Sequence, residues 1–295
     1  MSEKRTFVSV FRFLTVLGIA IFSAVSVSAE IPAKPKMLKA PVVGHRGHSA
    51  IAPENTMSAV IQAIKTGANG CEIDVYRTTD GVVVLSHDDN LKRCGGGNVA
   101  LKTSTLADLQ KCDVSYPQKF GDKFKGERVP TMDSVIQVLK KSRKCIPVVE
   151  IKQDGIEEDV LKVLQKHNMV KRSIIIAFSA NVCKKMRELD KDICIAWLVS
   201  RAKEEKQDAF IARIIKTLDD CNINTVDLQH NPVDKALVDT LHEKGITVFC
   251  WTVDDAARIQ ALYEMGVDSV TTNVPDVGKQ MLKKAKLPKA NKKRR

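Results

Sequence analysis

The sequence predicts an α/β protein, a (β/α)8 TIM barrel with an insertion between its second and third strands. Eight short β-branched runs alternate with amphipathic helical patterns, one interval between runs is far longer than the others, and the chain has the length of such a barrel. Strands separated by helices must run parallel, and eight such units with apolar strand sequences favour a closed barrel over an open doubly wound sheet, the alternative arrangement.

In chain order, residues 1–29 come first. A basic start (Lys4, Arg5, Arg12) runs into "FLTVLGIAIFSAVSVSA", which ends in small residues with Val27 and Ala29 where a signal peptidase reads. This stretch predicts an export signal cleaved after Ala29, hence a secreted or periplasmic protein. It is too short and too rich in serine for the ~20 apolar residues of a membrane span. About 266 residues remain, close to the ~250 typical of the barrel. Strands are expected at 42–46, 71–77, 146–152, 173–178, 194–200, 225–230, 247–253 and 269–274, all within a domain spanning 30–282. "TMSAVIQAIKTG" and "DDAARIQALYEMG" are helices stopped by Gly67 and Gly266. After the second strand, "YRTTDGVVVLSHDD" predicts a hairpin turning at Asp80-Gly81, followed by a Gly- and Lys-rich insertion at about 89–130 on the face where barrel enzymes carry their sites.

The formal charge of +12 is unevenly placed: the tail 283–295 holds eight Lys or Arg and no acid, and the body between signal and tail carries only about +2. No nucleic-acid partner is therefore expected, and the tail is read as a solvated end or a contact with an anionic surface. Eight cysteines suit an exported chain, with Cys94–Cys112 and Cys194–Cys221 as candidate bridges; no spacing suggests a thiolate metal site. The oligomeric state is left open.

Chemistry concentrates at strand ends. In "CEIDV", side-chain alternation puts Glu72 and Asp74 on one face and Cys71, Ile73 and Val75 on the other, and in "VVEIK" Glu150 and Lys152 project together. If the apolar residues meet the helices, three carboxylates share the barrel interior, an all-oxygen site for one divalent cation, Mg²⁺ or Ca²⁺. His45 in "GHRGHSAIAPENT" and His87 in "SHDD" can reach the same mouth, and two imidazoles across a metal site suit removal of one proton and delivery of another. Three carboxylates, a divalent ion, Arg46 and Lys152 sum to one positive charge, which a phosphodiester monoanion would neutralise. Trp251 offers an apolar wall or a barrel filler, and Glu54 and Asn55 a site contribution or a helix cap. His48, His167, His230 and His242 are read as noncatalytic.

The ordered set "GHRG", "PENT", "EIDV", "T.DG..V..HD", "VEIK" and "WTV" resembles the glycerophosphodiester phosphodiesterase family over about residues 42–276. The resemblance implies a (β/α)8 barrel that hydrolyses glycerophosphodiesters to glycerol 3-phosphate and an alcohol. It places metal ligands at Glu72, Asp74 and Glu150, the acid/base pair at His45 and His87, and phosphate contacts at Arg46 and Lys152, with Glu54 in the PENT motif. Asp254 departs from the family, in which asparagine is frequent after "WTV", and this bears on which alcohol leaves. Two other readings stand beside it: a phospholipase D-type enzyme acting on choline phospholipids, and a noncatalytic barrel that binds surfaces.

Overall fold

A computed structural model describes residues 37–288; the expected signal segment and the last seven residues of the basic tail lie outside the described residues. Among the described residues the strands are β1 (Val42–Gly44), β2 (Gly70–Arg77), β3 (Val83–Leu85), β4 (Ile146–Ile151), β5 (Ile174–Ala177), β6 (Cys194–Val199), β7 (Thr225–Gln229), β8 (Thr247–Trp251) and β9 (Ser269–Thr272). The α-helices are α1 (Met57–Thr66), α2 (Leu106–Leu109), α3 (Pro117–Phe120), α4 (Met132–Lys141), α5 (Glu157–Lys166), α6 (Ala180–Leu189), α7 (Gln207–Asp220), α8 (Lys235–Glu243), α9 (Ala256–Met265) and α10 (Pro275–Lys284). All strands but β3 pair in parallel, in the order β1-β9-β8-β7-β6-β5-β4-β2, and β1 also pairs with β2 (Val43 opposite Gly70), which closes the ring. β3 lies outside the ring as the returning arm of the expected hairpin, antiparallel to β2 with Val75 opposite Leu85 and Gly81 at φ +82° in the turn.

The expected strands overrun the observed ones mostly at their C-terminal ends: β1 stops at Gly44, not residue 46, and β8 at Trp251, not 253. The residues just beyond still donate one bond to the neighbouring strand, His45 N–H to Thr272 O and Lys152 N–H to Val75 O, so the pairing thins at the barrel mouth before the backbone turns away. Both expected helix stops hold, with Gly67 and Gly266 in the left-handed conformation donating back to the last turns of α1 and α9.

Alternation sorts the side chains into two cores. Outward residues such as Val42, Ile73, Val149, Ile175, Leu228 and Val248 pack under the helices against Val60, Ile136, Leu164 and Ile259. Inside, Val43, Val148, Ile174, Ile176, Ala196, Leu198 and Phe249 form an apolar plug, with Met37 and Leu38 packed against it. The plug matters for chemistry because it excludes water beneath whatever sits at the mouth. The insertion has its own cluster, in which Leu91, Leu101, Leu109, Val114 and Val129 pack on Tyr76 and Val84 of the hairpin.

Neither expected disulfide forms. Cys194 belongs to the interior plug and Cys221 to the outer layer, on opposite sides of the barrel wall. The Cys221 thiol donates to Ala180 O, and the Cys112 thiol to Asp108 O one helical turn back. No helix among the described residues is long and apolar enough to cross a membrane.

Candidate active site

The "GHRG" turn follows from its glycines. Arg46 and Gly47 have φ +52° and +87°, and a Cβ on Gly47 would lie 2.5 Å from the Ala59 carbonyl carbon at the start of α1. The tight turn aims the Arg46 backbone N–H at Glu72 Oε2 (2.6 Å), while the Gly47 N–H meets the Glu72 carbonyl (3.2 Å). The expected cap at Asn55 falls instead on Thr56, whose hydroxyl accepts from the Ala59 N–H. Asn55, at φ +54°, turns inward, where its Nδ2 donates to Asp74 Oδ2 (2.7 Å) and its Oδ1 accepts from the Asp74 N–H (3.1 Å).

Glu72, Asp74 and Glu150 converge, with one oxygen from each lying within 4.8 Å of the others, because β2 and β4 are neighbours with Asp74 opposite Glu150. Glu72 Oε1 and Asp74 Oδ1 are buried without a hydrogen-bond partner. Burial, then repulsion from Asp74 and Glu150, pushes the Glu72 carboxyl well above the usual range. Burial and Asp74 raise Glu150 to about 7 against the pull of Lys152. A divalent cation fits this donor set, since two oxygens bound at about 2.4 Å can be at most about 4.8 Å apart, and it would satisfy the orphaned oxygens and relieve the repulsion. Lys152 Nζ lies 2.8 Å from Glu150 Oε1 and 3.6 Å from Asp74 Oδ1, and Arg46 Nε 3.3 Å from Asp74 Oδ2.

The two histidines are held differently. His45 Nδ1 lies 2.7 Å from Asn273 Oδ1, which also accepts from Ser49 Oγ (2.6 Å), while Asn273 Nδ2 donates to Asp254 Oδ2 (2.6 Å). With the amide fixed by Asp254, its oxygen faces His45, so Nδ1 carries the proton and Nε2 keeps its lone pair. Burial and the neighbouring Arg46 lower the His45 pKa to about 4, so the ring is neutral at neutral pH. His87 Nδ1 meets Asp88 Oδ1 at 2.7 Å, and the other Asp88 oxygen takes Arg93 Nε at 2.7 Å.

An open pocket joins these groups, lined by His45, Arg46, Glu72, His87, Glu150 and Lys152 together with Ile176, Phe178, Leu198, Asp227 and Trp251. Trp251 stands edge-on to Phe178 (5.3 Å between ring centroids) and donates its Nε1 to the Asp227 carbonyl (3.0 Å), so it forms an apolar wall. Asp74 lies just behind the lining. Glu54 does not line this pocket; it is clasped by Arg46 (2.6 Å) and by the two terminal guanidinium nitrogens of Arg93 (2.6 and 2.8 Å), one layer back. Burial favours its neutral form, but the hydrogen bonds from Arg93 and the two positive charges outweigh that and hold its pKa at about 2. Asp254 does not line the pocket either; its carboxylate holds Asn273, which in turn holds His45.

His48, His167 and His242 pair with Asp276, Asp133 and Asp268 away from the pocket, and His230 does not line it. Sequence reasoning missed Asn273, Arg93, Asp88 and Asp227. Asp88 adjoins His87 in "SHDD", and the alternation that singled out Glu72 also turns Asp227 inward in "TVDLQ". Arg93, five residues past Asp88, and Asn273, just past the end of β9, carry no motif of their own, and the partners that give them a role, Glu54 and His45, lie far away in the chain.

Residues 45–277 match the pattern of the Glycerophosphoryl diester phosphodiesterase family. A glycerophosphodiester phosphodiesterase of Caldanaerobacter subterraneus is 30% identical over 244 residues, covering 81% of this chain and 96% of its own. One from Bacillus subtilis is 30% identical over 289 residues, covering 90% and 94%. An Oleispira antarctica phosphodiesterase, solved in complex with the product sn-glycerol-3-phosphate, is 25% identical with a TM-score of 0.73 over 83% of this chain and 97% of that one.

Proposed function

Because the chain belongs to the glycerophosphoryl diester phosphodiesterase family, and is a phosphoric diester hydrolase of that kind, we propose that it is an exported, metal-dependent enzyme releasing glycerol 3-phosphate and an alcohol from glycerophosphodiesters. The observation that carries the reading is the convergence of three buried carboxylates with two differently anchored histidines on one pocket. Glu72, Asp74 and Glu150 would hold the cation, Mg²⁺ or Ca²⁺, which when bound supplies a Lewis acid for a phosphoryl oxygen.

The chain's own residues divide the remaining work. Arg46 and Lys152, drawn toward the acids in this structure, supply positive charge for a phosphodiester monoanion at the pocket rim. His45, neutral with its Nδ1–H donated to Asn273, offers Nε2 as the base for a substrate hydroxyl beside the phosphorus; in a second stage, when water opens the cyclic phosphate, the roles exchange, His87 taking the water's proton and His45 returning the one it holds to the substrate hydroxyl. His87, its ring held at Nδ1 by the Asp88 carboxylate and lining the same pocket, is the group placed to protonate the departing alkoxide. Trp251 and Phe178 give the apolar wall along which the rest of the substrate lies. Export would follow from cleavage after Ala29, and the basic tail would make the anionic-surface contact.

The test is glycerol 3-phosphate release from glycerophosphocholine, with and without chelator, beside sphingomyelin. Release lost with chelator and restored by a divalent ion is the expected result. Turnover of sphingomyelin alone would favour the phospholipase D-type reading, and no turnover of either the noncatalytic one.

A further inference from the structure

The mechanism leaves one buried group of the pocket without a task. Asp227, in the middle of β7, is 1% exposed, lines the pocket, and its Oδ1 has no hydrogen-bond partner. Its neighbours at the same level are Leu198 on β6 and Phe249 on β8, and the wall around it is completed by Ile176, Phe178 and Trp251. A carboxyl group placed in such apolar surroundings with an unsatisfied oxygen is costly, and fold stability gives no reason to keep it there. It does not belong to the ion cradle, which takes Glu72, Asp74 and Glu150 from β2 and β4, with β5 and β6 intervening before β7. Its main chain is fixed as well, since its carbonyl accepts the Trp251 indole N–H.

Resting on the hydrolase reading above, we propose that Asp227 is a specificity-determining residue that hydrogen-bonds a free hydroxyl of the substrate's polyol end, the one not adjacent to the phosphoester. Among the apolar side chains around it and with Oδ1 unpaired, the uncharged carboxyl is the form that costs least to bury, and burial shifts its pKa upward in the same sense. A neutral carboxyl both donates and accepts, which matches a hydroxyl and offers no charge to an ammonium group. Lining the pocket wall on β7, it would read the polyol while the opposite rim holds the phosphate. A site built to bond a hydroxyl discriminates strongly against an analogue lacking it, because its buried polar group is then left unpaired.

The experiment uses the full chain with divalent ion and compares glycerophosphocholine with the phosphocholine ester of propane-1,2-diol, which keeps the hydroxyl beside the phosphoester and lacks the terminal one. Wild type should prefer the glycerol diester in kcat/KM by on the order of 10²-fold or more. Asp227→Leu should bring that ratio to within about threefold by losing rate on the glycerol substrate alone, and Asp227→Asn, which still donates and accepts, should keep most of it. Asp227→Ala serves where the leucine variant does not fold. A folded leucine or alanine variant with the wild-type ratio, or a wild type indifferent to the terminal hydroxyl, overturns the assignment. So does a variant whose choice between choline and ethanolamine esters changes instead, or whose divalent-ion requirement rises more than tenfold, which would move Asp227 into the ion cradle. Wild type that hydrolyses neither diester removes the hydrolase reading itself, an outcome distinct from an unaltered ratio.

Discussion

His45 shows how much a single hydrogen bond decides. Its Nδ1 is committed to Asn273, and Asn273 is clamped by two bonds to Asp254, so the ring presents one tautomer to the pocket. His45→Ala should lower kcat by on the order of 10²- to 10⁴-fold, as loss of a general base does. Asn273→Leu, which leaves the ring in place without its anchor, should lower kcat by on the order of tenfold with KM nearly unchanged, measured by steady-state kinetics. Glu54 is a stability element of the same scale. Its pKa is depressed from 4.5 to about 2, so the stability it contributes is fully present above about pH 4.5 and is lost as the pH falls through about 2. The shift corresponds to about 3 kcal/mol. Chemical denaturation from pH 6 to pH 2.5 should show this loss in the wild type, and Glu54→Gln should be less stable at pH 6 and less pH-dependent.

Among the elements, the turn after β1 couples folding to the site. Gly47 approaches the Ala59 backbone at the start of α1 and its N–H holds the Glu72 carbonyl, so the same turn seats a helix and aligns a candidate ion ligand. Gly47→Ala adds a Cβ where there is no room, at a φ that alanine rarely adopts. A loss of roughly 2–4 kcal/mol in thermal or chemical unfolding is expected. The insertion works in a comparable way. Its Arg93 ties Glu54 to Asp88, and its Lys119 bonds the Ser49 carbonyl, so a segment outside the ring braces both histidine-bearing loops. Arg93→Ala should lower kcat on glycerophosphocholine by on the order of tenfold through His87, with the barrel's circular dichroism retained.

For the whole molecule, charge is segregated: a nearly neutral body carries a tail of eight basic residues in thirteen. Deleting residues 289–295 should weaken sedimentation with phosphatidylserine vesicles at low salt while leaving turnover of a soluble diester unchanged. Mass spectrometry of the exported protein should find Glu30 as its first residue; a mature chain that retains residues 1–29 would exclude the expected cleavage.

The strand alternation, the hairpin turn, the two glycine stops and the inward parity of Glu72, Asp74 and Glu150 were all legible in the sequence, because each is set by neighbours a few residues apart. Contacts across the barrel were not legible. Nothing local links His45 to Asn273, 228 positions away, or Arg93 to Glu54. Glu54 and Asn55 likewise read as a contact and a cap until the turn placed one between two guanidiniums and the other on Asp74. The sequence by itself determined which groups could do chemistry and which face of each strand they occupy. Only the closure of the ring decided which of them meet, since a closed sheet brings together strand ends that the chain keeps far apart, and burial there sets their protonation.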